Sequence, residues 1–270
     1  MKLLTLNCHS WQEENQNEKI LILVDTIKEK SYDVIALQEV NQCADEKVAD
    51  ENSKYKIRKD NFALVLINEL KKQGVNDYFL IWEFSHLFKH FEEGLAILTK
   101  HPIVEAHSFY VSNTLDYTNW RARKIVGATI QYRDKKISFY SCHMGWWHDE
   151  EEPFKPQADK LFKKINIGEE RISFLMGDFN NDAFIKGEGY DYLVSHGLFD
   201  TYNLATSKDD GITVIGEIGG WEGNLKKKRI DLIFINKLLS VTYSNVIFNG
   251  ENKQVVSDHF GVEIGVNLED

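Results

Sequence analysis

The sequence predicts an α/β sandwich, with two β-sheets packed face to face and helices on the outside. Short apolar runs of strand length recur along nearly the whole chain, and a few longer stretches carry apolar residues at helical spacing. The order of these segments also matters: strands alternate with helices at first and then dominate, which suits two packed sheets with outer helices. Of 270 residues, 43% are hydrophobic, enough for a sizeable core. Only three prolines are present, and there is no Gly/Ser/Pro-rich linker and no internal repeat, so residues 1–270 read as one domain.

Taken in order, Lys2–Cys8 reads as a buried strand. Glu13–Lys30 reads as a helix, because Ile20, Leu23, Val24 and Ile27 share one helical face. Asp33–Val40 is a second buried strand, and Phe62–Gln73 a second helix. Asp77–Leu87, Gly94–Thr99, Val104–Val111, Ile125–Tyr132 and Ile137–His143 follow as strands. Pro156–Ile167 is helical again, and Arg171–Gly177 is a strand stopped at Gly177-Asp178. Tyr190–His196 is a short helix ended by Gly197. Arg229–Ile235, Val241–Phe248 and Gly261–Val266 close the chain as strands.

The first residues, Met1–Leu6, enter a strand directly and lack the charged start and apolar run of a signal peptide. No stretch is apolar for long enough to span a bilayer. The three cysteines, Cys8, Cys43 and Cys142, are odd in number, far apart and without zinc-ligand spacing. Together these features point to a cytoplasmic protein without a disulfide framework. A net charge of −10 argues against a general binder of duplex DNA, whose affinity draws on Lys and Arg displacing counterions. The sequence names no protein partner.

The chemistry gathers where apolar runs begin or end. Leu4-Thr5-Leu6-Asn7 ends in Asn7, Ile35-Ala36-Leu37-Gln38-Glu39 in Glu39, and Phe139-Tyr140-Ser141-Cys142-His143 in His143. Phe174-Leu175-Met176-Gly177 runs into Asp178-Phe179-Asn180; Arg229-Ile230-Asp231 and Ser257-Asp258-His259 open the last runs. Any one of these could be a surface acid, a turn residue or a satisfied core histidine. Six such sites together suggest one shared pocket, because charge so close to core strands is costly unless paired or metal-bound. Glu39, Asp178, Asn180, Asp231 and Asp258 offer the oxygen ligands that a hard divalent ion takes, and His143 and His259 can move protons or donate to a phosphate.

These stretches, in this order from Asn7 to His259, resemble the endonuclease/exonuclease/phosphatase superfamily. The resemblance implies a four-layer α-β-β-α sandwich of two mixed sheets, as in deoxyribonuclease I, with the site at the mouth of the sheets. It implies Mg²⁺, with Mn²⁺ as a substitute, and Glu39 as the main metal ligand with Asn7 beside it and Asp258 as a further contact. It implies that Asp178 and Asn180 position the attacking water and the phosphate, that His143 contacts the phosphate, and that Asp231 and His259 act as a pair. The place two residues after Asn7, where several nucleases of the superfamily carry a second acidic metal contact, holds His9. Asn7–Asn15, Asp116–Arg121 and Gly145-Trp146-Trp147 are unusual for the superfamily and resemble the Gram-positive group that includes maltose 6'-phosphate phosphatase.

Around this set, Trp146 and Trp147 offer an apolar platform for a sugar ring, with Trp120, Tyr117 and Trp221 as companions, against the alternative of ordinary packing. Arg121 could fork onto a phosphate, against the alternative of a solvated loop shared with Arg123. Lys226-Lys227-Lys228-Arg229 reads as a solvated charge cluster, with polyanion binding as the alternative. Asp149-Glu150-Glu151-Glu152 would repel a long phosphate backbone if it rims the site. The expectation is therefore a phosphomonoesterase for a small phosphorylated sugar, such as a disaccharide 6'-phosphate. A metal-dependent nuclease with the same catalytic set is the alternative, and an inactive binding module on the same fold is a second.

Overall fold

The computed structural model describes residues 1–50, 56–165 and 171–268. In chain order it contains β1 (Lys2–Asn7), α1 (Gln16–Lys30), β2 (Val34–Cys43), α2 (Phe62–Lys72), β3 (Phe79–Phe88) and β4 (Phe91–Thr99). Next come β5 (Ile103–Tyr110), β6 (Lys124–Tyr132), β7 (Lys135–His143), α3 (Phe154–Ile165), β8 (Ile172–Asp178) and α4 (Gly189–Ser195). The short elements β9 (Phe199–Asp200), α5 (Thr201–Leu204), β10 (Ala205–Lys208), β11 (Val214–Ile215) and β12 (Lys227–Lys228) follow. The chain closes with β13 (Asp231–Ile235), β14 (Ser240–Ile247) and β15 (Gly261–Asn267).

Two large mixed sheets result. One has seven strands in the order β10-β14-β15-β1-β2-β4-β3, the other six in the order β5-β6-β7-β8-β13-β9. Their central strands bury both faces, which is why they read as continuous apolar runs and not as alternating ones. Leu3, Val34, Ala36 and Ile97 of the first sheet meet Ala128, Phe139, Phe174 and Ile233 of the second. The rings of Phe139 and Phe174 stack there at 5.1 Å. One residue further along, Leu4, Ile35 and Leu37 face outward onto Ile20, Leu23 and Ile27 of α1 and Phe62 and Leu66 of α2. Tyr140, Cys142, Leu175 and Phe234 face outward from the second sheet onto Phe154 and Leu161 of α3 and Tyr190 and Leu193 of α4. The layers are thus helix, sheet, sheet, helix, as expected from the sequence.

Several boundaries differ. β2 continues to Cys43 instead of stopping at Val40, because a register irregularity between Leu37 and Val40 lets it bend and resume pairing with β4. α1 starts at Gln16, so Glu13 lies in the loop before it. α3 starts at Phe154; residues 166 and 167 of the expected helix lie outside the described residues. Between His196 and Arg229 the elements are two to four residues long, too short to show any periodicity. Among the described residues, no helix is long and apolar enough to cross a membrane.

Candidate functional site

Three register pairs bring the strand-end residues together. β1 and β2 are parallel with Asn7 opposite Gln38, and β7 and β8 are parallel with His143 opposite Asp178. β13 runs antiparallel to β8 with Asp231 opposite Asp178, so its beginning lies where β8 ends. The facing sheets then place both sets at one mouth. Gly177 permits the close approach just before Asp178: its φ is 147°, and a Cβ there would stand 2.0 Å from the Cys142 carbonyl oxygen. Glu39 and Asn180 each take a left-handed φ of 49°, the first at the irregularity within β2 and the second just past the end of β8.

Asn7 is the hinge of the acidic cluster. Its Nδ2 donates to Glu39 Oε1 at 2.8 Å and to Asp178 Oδ2 at 3.2 Å, so one amide from β1 ties the two sheets' carboxylates together. Its Oδ1 accepts from the His9 N–H at 3.2 Å. The amide nitrogen faces the carboxylates, because two neighbouring anions need a donor between them. Asp178 Oδ1 accepts from the Asn180 N–H at 2.8 Å. Asn180 Nδ2 donates to the Met144 carbonyl at 3.0 Å, while its Oδ1 accepts from Trp221 Nε1 at 3.0 Å.

His259 Nδ1 lies 2.9 Å from Asp231 Oδ2, and its Nε2 lies 3.8 Å from Asp178 Oδ2. Burial opposes a charge on this ring, but Asp231 and Asp178 outweigh it and hold the pKa well above the usual histidine range. His143 is the opposite case: burial, reinforced by Arg123, holds it well below that range, with Nε2 3.7 Å from Asp178 Oδ2 and 4.0 Å from Glu39 Oε1. Burial, then Asp231 and Glu39, pushes Asp178 up to about 7, with His259 opposing. Burial and Asp258 raise Glu39.

The donor set fits a hard divalent cation, since Glu39, Asp178 and Asp258 line one cavity and raise one another's affinity for positive charge. Asp231 Oδ1 is buried without a hydrogen-bond partner among the described residues. His9 brings in an acid that sequence reasoning missed: its Nδ1 lies 2.6 Å from Glu13 Oε1 and 3.8 Å from Asp258 Oδ1, and Glu13 accepts the Asp258 N–H at 3.2 Å. These three residues form a group compact enough to hold a metal. The positive φ values at His9, Trp11 and Asn15, which fold the loop back over β1, left no mark in the hydrophobic periodicity.

The cavity measures about 290 Å³. Glu39, His143, Asp178, Asn180, Asp258 and His259 line it, together with Trp120, Trp146, Phe88, His86, Glu93 and Arg123. The remaining sequence candidates lie elsewhere. Trp147 packs on Phe154 and Tyr192 at centroid distances of 6.1 and 5.8 Å, in the outer helical layer, because its successive position puts it on the opposite side of the chain from Trp146. Tyr117 is exposed beside Phe84. Arg121 is engaged by Asp149 at 3.0 Å and Glu151 at 3.2 Å and lies over Trp120, so its fork faces carboxylates and Arg123 takes the place in the cavity.

The acidic tract is likewise not a free negative rim. Arg121 pairs with Asp149 and Glu151, and buried Glu152 accepts the N–H groups of Asn113 and Thr114 at 2.7 and 2.6 Å. In the lysine run, Lys228 lies over Trp221 and 3.7 Å from Asp182, and Arg229 pairs with buried Asp200. Sequence reasoning also missed His86, Glu93 and Arg123; the expected strand began at Gly94, and pairing with β2 and β3 extends β4 back to Phe91.

The sequence pattern of the Endonuclease/Exonuclease/phosphatase family matches residues 4–259. A family protein from Leptotrichia buccalis C-1013-b is 45% identical, with a TM-score of 0.90 over 99% of this chain and 100% of that one. A mannosyl-6-phosphatase from Bacteroides thetaiotaomicron shares the fold at 17% identity, with a TM-score of 0.70 over 99% of this chain and 100% of the other. So does D. rerio TDP2 complexed with a single-strand DNA product, at 14% identity and a TM-score of 0.65 over 99% and 98%. No curated protein matches the sequence. With the match running through nearly every strand that carries a strand-end acid or histidine, this chain belongs to the endonuclease/exonuclease/phosphatase family of phosphate-ester hydrolases, which generally depend on a divalent metal.

Proposed function

We propose that the chain is a metal-dependent phosphomonoesterase acting on a small phosphorylated sugar, such as the disaccharide maltose 6'-phosphate. The observation that carries this reading is the shape of the site: the acids and histidines line a cavity of about 290 Å³ together with Trp120 and Trp146, near the lower end of the range for small-ligand clefts. The two rings meet edge to face at 5.9 Å and offer stiff apolar area for a sugar ring. That a neighbour of the same fold is a mannosyl-6-phosphatase supports sugar-phosphate hydrolysis as chemistry the fold can host.

In this reading Glu39 and Asp258, with Asp178 opposite, would hold Mg²⁺ or Mn²⁺, which draws negative charge from the phosphate when bound. Asp178 Oδ2 faces both histidines and can orient a water for in-line attack. Asp231 fixes His259 through Nδ1, leaving Nε2 as the nitrogen that meets the phosphate. Neutral His143 can donate one hydrogen bond to a phosphate oxygen. Asn180, anchored by the Met144 carbonyl and Trp221, sits at the same wall. The bond between phosphorus and the sugar oxygen breaks, and the sugar alcohol leaves.

The test is kcat/KM with Mg²⁺ for maltose 6'-phosphate and other sugar phosphates against abasic-site and plasmid DNA. The expected result is turnover of a sugar phosphate and little cleavage of DNA. Efficient DNA cleavage with sugar phosphates untouched would replace this reading with a nuclease.

A further inference from the structure

The cavity has further polar lining to which the chemistry above gives no task. His86 comes from β3, Glu93 from β4, and Arg123 from the residue before β6. They are 3%, 6% and 4% exposed, a depth at which charged side chains are rare unless engaged. Arg123 Nη1 donates to the carbonyls of Trp120 at 2.8 Å and Ala122 at 3.5 Å, but its Nε is shielded from water and has no partner among the described residues. Trp146 Nε1 is shielded and unpartnered in the same way, and its ring lies 5.7 Å from the Arg123 guanidinium carbon. Beside them, His86 Nε2 stands 3.3 Å from Glu93 Oε1.

Buried donors without partners are uncommon in folded proteins, and these two belong to residues that line one cavity, where a small shift of the wall would bring them to acceptors on a ligand. A second phosphate would supply acceptors but would meet Glu93 in the same wall. A sugar diol supplies acceptors for Arg123 and Trp146 and donors for Glu93 and His86 at once. Apolar area for the ring itself is at hand in Phe88 and Trp120. Gly220 holds the indole in place: its φ is +78°, and a Cβ there would fall 2.0 Å from Trp146 Cζ2.

We propose that Arg123, Glu93, His86 and the Trp146 indole N–H form the subsite that recognises the hydroxyl groups of the sugar whose phosphate is removed. This assignment rests on the sugar-phosphate reading and makes these residues determinants of specificity, acting on the leaving group.

The test compares wild type with Glu93→Gln and Arg123→Lys; the second keeps the charge and removes the Nε donor. Substrates are maltose 6'-phosphate, its deoxy analogues lacking one hydroxyl, and p-nitrophenyl phosphate, all with Mg²⁺, and thermal melts establish that the variants fold. Each variant should lose about tenfold or more in kcat/KM for the sugar phosphate, mainly through KM, and much less for the aryl phosphate, which makes no use of the wall. The deoxy analogue lacking the recognised hydroxyl should cost wild type about tenfold and the variants little more, because the interaction is already gone. Equal losses on both substrates, or none on either, would overturn the assignment while leaving the sugar-phosphate reading intact. Wild type that hydrolyses no sugar phosphate would overturn that reading itself, and this subsite with it, before any variant is made.

Discussion

Asp149, in the loop after β7, and Asp178, at the end of the neighbouring β8, are both aspartates, yet the fold treats them in opposite ways. Burial would raise either one. For Asp149 the N–H groups of Glu152 and Glu151 and the Arg121 guanidinium outweigh burial and hold the carboxyl below the usual range. For Asp178 burial wins, helped by Asp231 and Glu39, and the carboxyl rises to about 7. Acidic residues that find cations and N–H groups stiffen a loop. Acidic residues that face one another remain short of positive charge, and that shortage is what a divalent ion relieves. The number of acids in a segment therefore says less than where their partners lie.

The largest effect should come from removing the centre's response to a cation. Chelation should abolish phosphatase activity and Mg²⁺ or Mn²⁺ restore it, and Glu39→Gln should lower kcat on the order of 10³-fold, since a metal contributes several kcal/mol to the transition state. Full turnover by metal-stripped protein in chelator would end the comparison on its functional side.

The Asp231–His259 pair comes next. His259→Ala should cost about 10²-fold or more in kcat, the scale of lost acid–base help, and Asp231→Asn should cost less but still slow the reaction by freeing the ring. Wild-type rates in both variants would remove the pair from the chemistry.

A third measurement uses pH to separate the two aspartates. Asp178 binds its proton more tightly folded than unfolded, so metal-free protein should lose stability as pH rises from about 4 to about 7 through this group. Asp149 is depressed, so its contribution is present above the ordinary carboxylate value and fades as pH falls below it. In chelator, Asp178→Asn should flatten the dependence of Tm on pH between about 4 and 7, and Mg²⁺ at neutral pH should raise the wild-type Tm. An unchanged slope in Asp178→Asn would show that the raised pKa is absent from the folded protein.

The smallest effect is Asp149→Asn, expected to lower stability by about 1 kcal/mol through its lost pairing with Arg121, with kcat for an aryl phosphate nearly unchanged. A loss comparable to that of Glu39→Gln would place the loop in the chemistry and erase the contrast.

The fold was legible because both of its main signals are local. Apolar runs such as Leu3–Leu6 and Phe174–Met176 mark strands buried on two faces, and the helical stripe at Ile20, Leu23, Val24 and Ile27 marks a helix with one buried face. The strand-end acids were legible too, since a polar residue closing an apolar run stands out from the residues around it. What periodicity cannot carry is the detail of turns and pairing: the bulge at Glu39, the loop that folds Glu13 back to His9, and the two- and four-residue elements from Phe199 to Lys228.

By itself the sequence determined the layers of the sandwich and the strand ends where acids and histidines collect, because each depends on residues a few positions apart. The tertiary structure decided which of those residues share a cavity and in what state. It gave the cavity to Trp146 and Arg123, while Trp147 packs beneath α3 and α4 and Arg121 is held by Asp149. It turned the Asn7 amide nitrogen toward two carboxylates, and it brought Glu93 and His86 into the same cavity as the acids. Neighbours along a chain differ by one position, but across a sheet or a turn one position reverses the direction of a side chain. Partners that fix a charge come from strands more than a hundred residues away, as Asn7 does for Asp178, and only the packed sheets bring them within reach.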